Sequence, residues 1–259
     1  MSIPKIIHYC WFGGKHKPES VKKCIDSWRR YCPDYEIKEW NESNIDLSMN
    51  IYTLQAYEAK AWGFVPDYLR LWIVYQYGGI YLDTDVQVIK SLDSLLEYKA
   101  FAGFEDNEHV ALGLGFGAEK GCEFLRLHME QYDQLKFQLE DGSLNKTPSP
   151  QYTTQLLSRY GLKENDKLIQ TVCGVVIFPP EYFCPKSFET GFTKITKNTF
   201  SIHQFDGSWC SDDQLEYKNK RWNKAKRERR DYWIHIPNRF CKRILGEELY
   251  TKVKQMLKG

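Results

Sequence analysis

The chain has 259 residues, 42% of them hydrophobic, which is enough apolar material to bury the core of one domain. Its 36 basic and 34 acidic residues give a net charge of +2, so the overall charge makes no case for nucleic-acid binding. The eight cysteines form no C-x-x-C pair, which argues against a zinc knuckle and favours reduced thiols in a cytoplasmic protein. No stretch approaches 18 consecutive apolar residues, so we predict no transmembrane helix.

The first part of the chain predicts a β-α-β arrangement. Residues 5–10 form a short apolar run, residues 18–31 place apolar side chains on one helical face, and residues 35–40 alternate as a strand does. Trp11 directly follows the first strand. Ligands of open α/β sheets bind at the carboxyl ends of strands, so Trp11 is placed to stack on a flat base; a buried core tryptophan is an equal alternative.

The stretch FVPDYLRLWIVYQYGGIYLDTDVQV follows and predicts a helix that leads into a strand. Pro66 suits the first helical turn, and Gly78 and Gly79 end the helix. Within this helix, Asp67 and Arg70 are three residues apart. On spacing alone, an intrahelical ion pair is the favoured interpretation of these two side chains.

Asp83 and Asp85 stand at the carboxyl end of the apolar strand that follows the two glycines. Residues two apart in an extended strand share a face, so two carboxylates are expected to point at one place. They repel each other there unless a divalent cation or a hydrogen-bonded ligand lies between them. Acidic pairs at this spacing are common, but the strand, the glycines and the lack of a neighbouring lysine or arginine favour a functional site.

In the second half of the chain, the pattern predicts strands at 100–104, 112–116, 171–178 and 199–203 and helices at 119–139 and 153–160. Gly113, Gly115 and Ala118 loosely match a dinucleotide-binding fingerprint. We reject that function because the predicted helix leads into a polar loop and not into a second parallel strand.

The last predicted strand ends at His203 and leads into a glycine turn with Ser208 and Trp209. A histidine at a strand end is usually structural. Here a ring nitrogen, a hydroxyl group and an indole N–H fall within seven residues, a combination that suits a metal site and a bound diphosphate.

Four blocks in this order carry a family resemblance: IPKIIHYCWFGG, PDYLRLWIVYQYGGIYLDTDV, AFAGFE and SIHQFDGSW. Over roughly the first 210 residues the chain resembles the DXD-containing bacterial glycosyltransferases of family 32, of the capsular-polysaccharide type. These are similar to yeast initiating mannosyltransferases and to the catalytic domains of large clostridial glucosylating toxins.

The resemblance implies a type-A glycosyltransferase fold, which is an α/β fold with a Rossmann-like, mixed but mainly parallel sheet flanked by helices. It also implies a nucleotide-sugar donor, with UDP ahead of GDP-mannose, and a divalent metal, with manganese ahead of magnesium. The implied reaction moves a hexose or N-acetylhexosamine, with retention of configuration, to a glycan acceptor linked to polyprenyl diphosphate. Such a reaction belongs to bacterial surface or capsular polysaccharide synthesis.

The same resemblance implies roles for individual residues. Trp11 would stack on the base, and Asp67 and Arg70 would hold sugar hydroxyls, which reverses the ion-pair interpretation. Asp83 would contact ribose, donor sugar or metal-bound water, and Asp85 would bind the metal directly.

The other implied roles fall at the end of the matched region. His203 would ligate the metal or lie beside it, although the toxins have an acidic residue at that position. Ser208 and Trp209 would hold the diphosphate. We assign no catalytic base; Glu105 and Asp106, at the end of a strand, are candidates for the acceptor side.

The carboxyl end is basic. We predict a catalytic domain over residues 1–215 and a helical extension over 216–259, which contains KNKRWNKAKRERR. A solvated helix with a core-facing stripe is one interpretation. Attachment to an anionic lipid surface is the other, and it predicts a cytoplasmic protein peripheral to the inner face of a bacterial plasma membrane.

Two other function classes are alternatives. An apolar strand ending in D-x-D also opens haloacid-dehalogenase-like phosphohydrolases, where Asp83 would be the nucleophile and Asp85 the acid. That pattern expects threonine or valine at position 87, where this chain has Gln87, and it expects the aspartates on the first strand. The second alternative is a non-catalytic sugar-binding module.

Overall fold

A computed structural model describes residues 2–163, 168–207, 212–234, 243, 244 and 246. The chain forms two compact units: Met1–Lys186 with Thr193–Trp209, and Ser187–Phe192 with Cys210–Gly259. The predicted domain boundary between residues 215 and 216 stays a prediction. Within the described ranges, no helix combines the length and the apolar character needed to cross a membrane.

The first unit contains six α-helices and ten strands among its described residues. The helices are α1 Glu19–Tyr31, α2 Ile51–Glu58, α3 Pro66–Tyr77, α4 Glu123–Tyr132, α5 Ser149–Arg159 and α6 Pro180–Phe183. The strands are β1 Ile6–Cys10, β2 Glu36–Trp40, β3 Gly79–Tyr81, β4 Val86–Val88, β5 Ala100–Phe104, β6 Val110–Ala111, β7 Phe116–Ala118, β8 Gln170–Val172, β9 Val175–Phe178 and β10 Ser201–His203. The second unit contains helix α7, Asp212–Ile234.

Eight strands form one mixed sheet in the order β2-β1-β3-β7-β5-β9-β8, with β6 paired to β5. Strands β1, β2, β3, β5 and β9 run in one direction, and β6, β7 and β8 run in the other. The prediction of an α/β fold with a mixed, mainly parallel sheet and flanking helices is confirmed.

Strand β1 has a parallel neighbour on each side. The chain passes from β1 through α1 to β2 on one side and later places β3 on the other. The strand order therefore reverses at β1, and the crevice beyond the carboxyl ends of β1 and β3 is a topological switch point. Ligands of open α/β sheets bind at such points.

Strand β4, which follows β3 in the chain, belongs to a second sheet of two strands. Strand β4 pairs antiparallel with β10, and this register sets Val86 opposite His203. On α1, the Trp28 indole N–H donates to the Val86 carbonyl at 2.8 Å, and the Ser27 hydroxyl accepts from the Val88 N–H at 2.9 Å. These side chains bond the backbone of a strand that has only one strand partner, so β4 and the turn before it are held in place.

Helix α3 is buried along most of its length, as its apolar sequence predicts. Pro66 occupies its first turn, where the missing N–H breaks no helical hydrogen bond. It ends at Gly78, whose φ of +67° is a conformation that favours glycine. The predicted helix stop is confirmed, and it turns the chain directly into β3.

The predicted helix over 119–139 is wrong in length, because α4 covers only Glu123–Tyr132. At its start, Gly121 has a φ of +76°, which interrupts a right-handed helix. Beyond its end, the Gln55 side-chain oxygen accepts from the N–H groups of Phe137 and Gln138 at 2.9 and 3.0 Å. Tertiary hydrogen bonds therefore replace the helical ones after α4.

Two predicted strands also differ from the structure. Residues 171–178 are a hairpin of β8 and β9, and the chain reverses at Cys173 and Gly174, which both have positive φ values (50° and 76°). Residues 112–116 contain a 3₁₀ turn at Leu112–Leu114, and β7 begins only at Phe116. In the first case a continuous apolar run conceals a reversal of the backbone, and in the second it conceals a helical turn between two strands, β6 and β7, that run in the same direction.

Candidate active site

The two aspartates of the D-x-D sequence lie in a turn between the two sheets, and not in a strand. Strand β3 ends at Tyr81, and the Val86 N–H donates to the Asp83 carbonyl at 3.0 Å, which closes the turn. The argument that both carboxylates share one strand face is therefore wrong. Each carboxylate instead contacts its own cationic partner, and these partners come from different elements.

Asp83 contacts Arg70, which also contacts Asp67. The Arg70 Nη1 atom is 3.5 Å from Asp83 Oδ2, and its Nη2 atom donates to Asp67 Oδ1. Asp67 and Arg70 are each 4% exposed, whereas the Asp83 side chain is 30% exposed. The intrahelical ion pair predicted from spacing thus exists, and the structure brings it against the turn. Asp83 is the member of this trio that faces solvent.

The trio of Asp67, Arg70 and Asp83 carries two carboxylates but only one guanidinium, and the pKa values of both carboxylates are raised. Burial raises the pKa of Asp67 to about 6, and the Asp83 charge adds to this effect while Arg70 opposes it. Burial and the nearby Asp85 carboxylate also raise the pKa of Asp83, again against Arg70. One fixed cation therefore only partly neutralises this side of the site, which favours a further cationic or hydrogen-bond-donating ligand.

Gly113 provides the space that Asp83 occupies, a role that the sequence analysis missed. A Cβ atom at Gly113 would lie 2.2 Å from Asp83 Oδ2, and the Gly113 carbonyl accepts from the Asp83 N–H at 3.2 Å. At Gly115, with a φ of +121°, a Cβ would lie 2.8 Å from the Leu82 side chain. The glycines that loosely match a dinucleotide fingerprint thus allow the turn to approach closely.

Asp85 contacts His203, because the pairing of β4 with β10 brings them together. The His203 Nε2 atom lies 3.3 Å from Asp85 Oδ2, which also accepts from the Asp206 N–H at 3.0 Å. Burial favours the protonated carboxyl of Asp85, but His203 and the Asp206 N–H outweigh this effect and lower the pKa of Asp85. Burial likewise disfavours the imidazolium, but Asp85, Cys184 and Glu105 outweigh it and raise the pKa of His203 well above its usual value.

Glu105 lies on the other side of the His203 ring. Its Oε1 atom is 3.7 Å from His203 Nδ1, an atom that makes no hydrogen bond within the described part of the chain. The Cys184 thiol also interacts with the His203 ring, and burial raises the pKa of both Glu105 and Cys184. The strand-end position of Glu105 suggested the acceptor side; its contact with His203 was not predicted.

Asp106, the neighbouring candidate, has a different environment. Its Oδ1 atom accepts from the backbone N–H groups of Glu108 and His109 at 2.8 and 2.7 Å. The side chain therefore closes a turn, and the pKa of Asp106 is lowered by these bonds and by His109 against a burial effect that raises it. Glu105, and not Asp106, borders the two aspartates and their partners.

Trp11 lies at the carboxyl end of β1, next to β3. Its backbone N–H donates to the Trp40 carbonyl at 2.9 Å, and its indole N–H donates to the Lys15 carbonyl at 2.7 Å. The ring is half-buried, and Lys17 Nζ lies 5.7 Å from its centroid. A partly accessible ring at the switch point matches a base-stacking residue better than a core residue. Ser208 and Trp209 lie outside the described residues.

The divalent cation that the resemblance implies would need ligands near the D-x-D turn. Across the described ranges, no three histidine, cysteine, aspartate or glutamate side chains form a group that could hold a metal. Magnesium-like cations, however, are often bound by one or two carboxylates together with substrate phosphates. Asp85 fits that mode, because its pKa is low and its present partner, His203, is a cation that a metal can replace.

Known proteins resemble the part of the chain that contains Asp83 and Asp85. The family described as "glycosyltransferase sugar-binding region containing DXD motif" matches residues 18–102. Inositol phosphoceramide mannosyltransferase 3 of Schizosaccharomyces pombe is 38% identical over 131 residues, or 48% of this chain and 35% of its own length. Inositol phosphoceramide mannosyltransferase 1 of the same organism is 31% identical over 114 residues, or 38% and 33%. The chain thus covers about a third of each relative's length.

Among solved structures, the PaToxG glycosyltransferase has a TM-score of 0.46 and 21% identity, over 61% of this chain and 70% of its own. The match to the family is independent of this likeness, since it follows from the sequence alone. Residues 18–102 include α1, α3, β3 and the turn that holds Asp83 and Asp85. Residues 18–102 of the chain are therefore similar to the sugar-binding region of DXD-containing glycosyltransferases.

Proposed function

We propose that this chain is a metal-dependent, retaining glycosyltransferase with a type-A glycosyltransferase fold. It would move a hexose or N-acetylhexosamine from a nucleotide sugar to a glycan acceptor. The observation that carries this proposal is the turn after β3, where Asp83 and Asp85 lie within the matched region, each beside a different cation. This turn lies at the switch point of the sheet, where ligands of such folds bind.

The chain's own residues would divide the donor between them. Trp11 would stack on the base at the end of β1, and Asp67 and Arg70 would hold sugar hydroxyls from α3. Asp83 would face the ribose, the donor sugar or metal-bound water, because it is the exposed member of its trio. Ser208 and Trp209 keep their predicted role in holding the diphosphate, as a proposal from the sequence.

Asp85 would hold the cation, with His203 as a further ligand or a neighbour. When bound, such a cation stabilises the negative charge that develops on the leaving diphosphate. His203 supports this arrangement even without metal, because its imidazolium lies against Asp85 and limits the cost of burying that carboxylate. The same geometry makes His203 the group that must move or lose its proton as the cation binds.

Retention is proposed through front-face attack by the acceptor hydroxyl. Arg70 contacts the carboxylates of both Asp67 and Asp83, so each is committed to an ion pair. A carboxylate held in this way is a poor nucleophile for a covalent glycosyl-enzyme intermediate. The acceptor hydroxyl would therefore attack on the face that the diphosphate leaves.

The donor nucleotide proposed first is UDP, and the proposed metal is manganese ahead of magnesium. The relatives from Schizosaccharomyces pombe are named as mannosyltransferases that act on inositol phosphoceramide. Mannose is accordingly the specific hexose to compare, with GDP-mannose as its donor. A lipid-linked acceptor, such as a glycan on polyprenyl diphosphate in bacterial surface or capsular polysaccharide synthesis, completes the proposal.

The test is a panel of UDP-sugars and GDP-sugars, measured by thermal shift and by nucleotide release with and without manganese. We expect metal-dependent stabilisation by one nucleotide class, and loss of both signals in Asp85→Ala. Removing such a charge-stabilising contact costs about 3 kcal/mol, or roughly a hundredfold in rate. Glu108→Ala, which removes an exposed carboxylate, is the matched control. A flat panel with the wild-type protein would contradict the proposal.

The two alternative functions give different results in the same assay. A haloacid-dehalogenase-like enzyme would release phosphate from phosphomonoesters, and a non-catalytic module would bind the sugar nucleotide without turnover. The structure weighs against the phosphohydrolase, because the aspartates follow the third strand of the chain and Asp83 is paired with Arg70. A phosphatase nucleophile needs a carboxylate free to attack phosphorus.

We also propose that α7 attaches the protein to an anionic membrane surface, which would place it at the cytoplasmic face of a bacterial plasma membrane. Asn223, Lys226, Arg227 and Arg230 line one shallow groove on this helix, and all four are exposed. In the same unit, the Trp222 indole N–H donates to the Phe188 carbonyl at 2.8 Å. One side of α7 thus packs within the unit, while the groove has the charge that attracts acidic lipids.

Vesicle pelleting tests this attachment. The variant reverses the three charges of the groove: Lys226→Glu, Arg227→Glu and Arg230→Glu. Each basic residue near an anionic surface contributes about 1 kcal/mol, so binding is expected to fall by at least a hundredfold. The control reverses three exposed lysines of the first unit: Lys22→Glu, Lys23→Glu and Lys120→Glu. Equal loss in both variants, or no loss after removal of residues 216–259, would overturn the idea.

A further inference from the structure

The His203 ring lies between two carboxylates that come from different parts of the fold. Its Nε2 atom faces Asp85 at 3.3 Å, and its Nδ1 atom faces Glu105 at 3.7 Å. These two nitrogens are on opposite sides of the imidazole ring, so the three side chains form a chain: Asp85, His203, Glu105. The ring itself is only 14% exposed, so it has little freedom to turn elsewhere.

Other contacts already restrict His203 from the remaining directions. The Phe205 ring lies against it, with centroids 4.3 Å apart, and the Phe205 backbone has a φ of +58°, which is unusual for a non-glycine residue. The pairing of β10 with β4 fixes its backbone. The orientation of the ring then decides which nitrogen faces Asp85.

Glu105 is well held for this task. It follows β5 directly, and its backbone N–H donates to the His109 carbonyl at 2.8 Å, so the hairpin of β5 and β6 fixes its position. Its carboxylate lies 3.7 Å from His203 Nδ1, an atom that makes no hydrogen bond within the described residues. A small movement of either side chain brings the pair to hydrogen-bonding distance.

We propose that Glu105 is a positioning residue, which accepts a hydrogen bond from His203 Nδ1–H and thereby keeps Nε2 directed at Asp85 and its cation. This inference rests on the proposed function for the identity of the cation. Histidines at metal sites commonly donate their second N–H to a carboxylate, which fixes both tautomer and ring orientation. Glu105 would thus act on the site through His203, without contact with donor or acceptor.

Three variants separate orientation from simple charge. Glu105→Ala removes the acceptor, Glu105→Gln keeps a carbonyl acceptor without charge, and Glu108→Ala removes an exposed carboxylate of the same loop. The first measurement is manganese affinity of the free protein, by electron paramagnetic resonance without donor. We expect Glu105→Ala to weaken binding by about 10- to 100-fold, as is typical for such partners, and Glu105→Gln to recover most of it. Glu108→Ala should match the wild type.

The second measurement needs neither metal nor activity. In the metal-free protein, nitrogen-resolved NMR of the histidine side chains should show a protected Nδ1–H resonance for His203. We expect this resonance in the wild type and in Glu105→Gln, and its loss in Glu105→Ala. If the wild type transfers no sugar and binds no manganese, the proposed function fails, while the NMR comparison still decides the role of Glu105.

Two results would overturn the positioning role. Equal loss of manganese affinity in Glu105→Gln and Glu105→Ala would mean that the charge of Glu105 acts through space and that orientation is not its contribution. A fall in kcat with unchanged manganese affinity and an unchanged His203 resonance would instead place Glu105 on the acceptor side.

Discussion

The two aspartates of the D-x-D turn have cations of different kinds. Asp83 contacts Arg70, a buried guanidinium that stays charged at any pH a folded protein meets. Asp85 contacts His203, whose charge depends on a proton and which can therefore be replaced. The Asp83 side is thus permanently neutralised in part, whereas the Asp85 side can exchange one cation for another. This difference is the reason for proposing Asp85 as the residue that would receive the metal.

Among the variants considered, removal of Arg70 should cause the largest loss of stability, because Arg70 is the cation on the Asp83 side of the site. Arg70→Met leaves Asp67 buried without its partner, and loss of one member of a buried ion pair typically costs 3–5 kcal/mol. The control is Arg126→Met in α4, because Arg126 also contacts two carboxylates, Glu123 and Glu130, but is 40% exposed. Exposed pairs contribute about 1 kcal/mol or less.

Urea unfolding at pH 7.5 measures both free energies of unfolding. If Arg70→Met and Arg126→Met lose the same stability, Arg70 is not the fixed cation that holds Asp67 and Asp83. A larger loss for Arg70→Met, restored in part when Asp67→Asn is added, would show that the cost comes from the uncompensated carboxylate.

The comparison also predicts unequal roles of the aspartates in metal binding. Asp85→Asn should weaken manganese binding about a hundredfold, equivalent to about 3 kcal/mol, because it removes the carboxylate proposed to bind the metal. Asp83→Asn should weaken it less than tenfold, since Arg70 already neutralises that side. Isothermal titration with manganese in the absence of donor measures both. The reverse order of effects would assign the metal to Asp83.

Acid should destabilise the fold through a histidine packed near the Asp83 side. Burial, aided by the charge of Arg70, lowers the pKa of His128 from 6.5 to about 4. Its Nε2 atom forms a hydrogen bond with the Thr153 hydroxyl at 3.0 Å, and the burial of the ring favours its neutral form. Between pH 6.5 and 4, the unfolded chain binds a proton that the folded chain does not, and stability therefore falls as the pH falls through this window.

The contribution of His128 to this loss is about 3 kcal/mol at the acid end of the window. His128→Leu should remove it, so that the free energy of unfolding varies less between pH 6.5 and 4 than in the wild type. Asp67 changes in the opposite direction, because its raised pKa stabilises the protonated folded form below about pH 6. If His128→Leu leaves the pH dependence unchanged, the ring has the same pKa in the folded and unfolded protein, and burial does not keep it neutral.

Local sequence patterns predicted the elements that deliver the site. The apolar strand, the glycine stop and the helical spacing of Asp67 and Arg70 depend only on neighbours in the chain, and the structure confirms all three. The contact of His203 with Asp85 depends instead on the pairing of β4 with β10, more than 100 residues apart in the chain. Local patterns carry no information on such a register. The sequence therefore predicted the individual site residues but not which of them contact each other.

Glu105 and the hairpin at Cys173 are two further features that local sequence patterns did not predict. The acidic residue was visible at a strand end, but its contact with His203 arises only when two sheets meet. The hairpin turn was hidden because Cys173 adopts a positive φ in an otherwise apolar run. A non-glycine residue with that conformation gives no compositional signal for a turn.

Substitution of Gly113 is expected to have the smallest effect, but it tests the Asp83 side of the site most selectively. Gly113→Ala places a methyl group 2.2 Å from Asp83 Oδ2, so the carboxylate must move away from Arg70. Overpacking of this kind costs about 1–3 kcal/mol. Gly117→Ala is the matched control, because its Cβ would lie 2.5 Å from the Phe101 ring in the core, away from the turn.

Both alanine variants should lose similar stability, measured as Tm, because each forces a packed side chain to shift. They should differ in turnover of the nucleotide sugar, where Gly113→Ala is expected to lose about tenfold more than Gly117→Ala. Manganese affinity should stay near the wild-type value in both, since the crowded carboxylate is Asp83 and not Asp85. A loss of manganese affinity in Gly113→Ala alone would mean that the two aspartates bind the cation together, and the division between a fixed and an exchangeable side would fail.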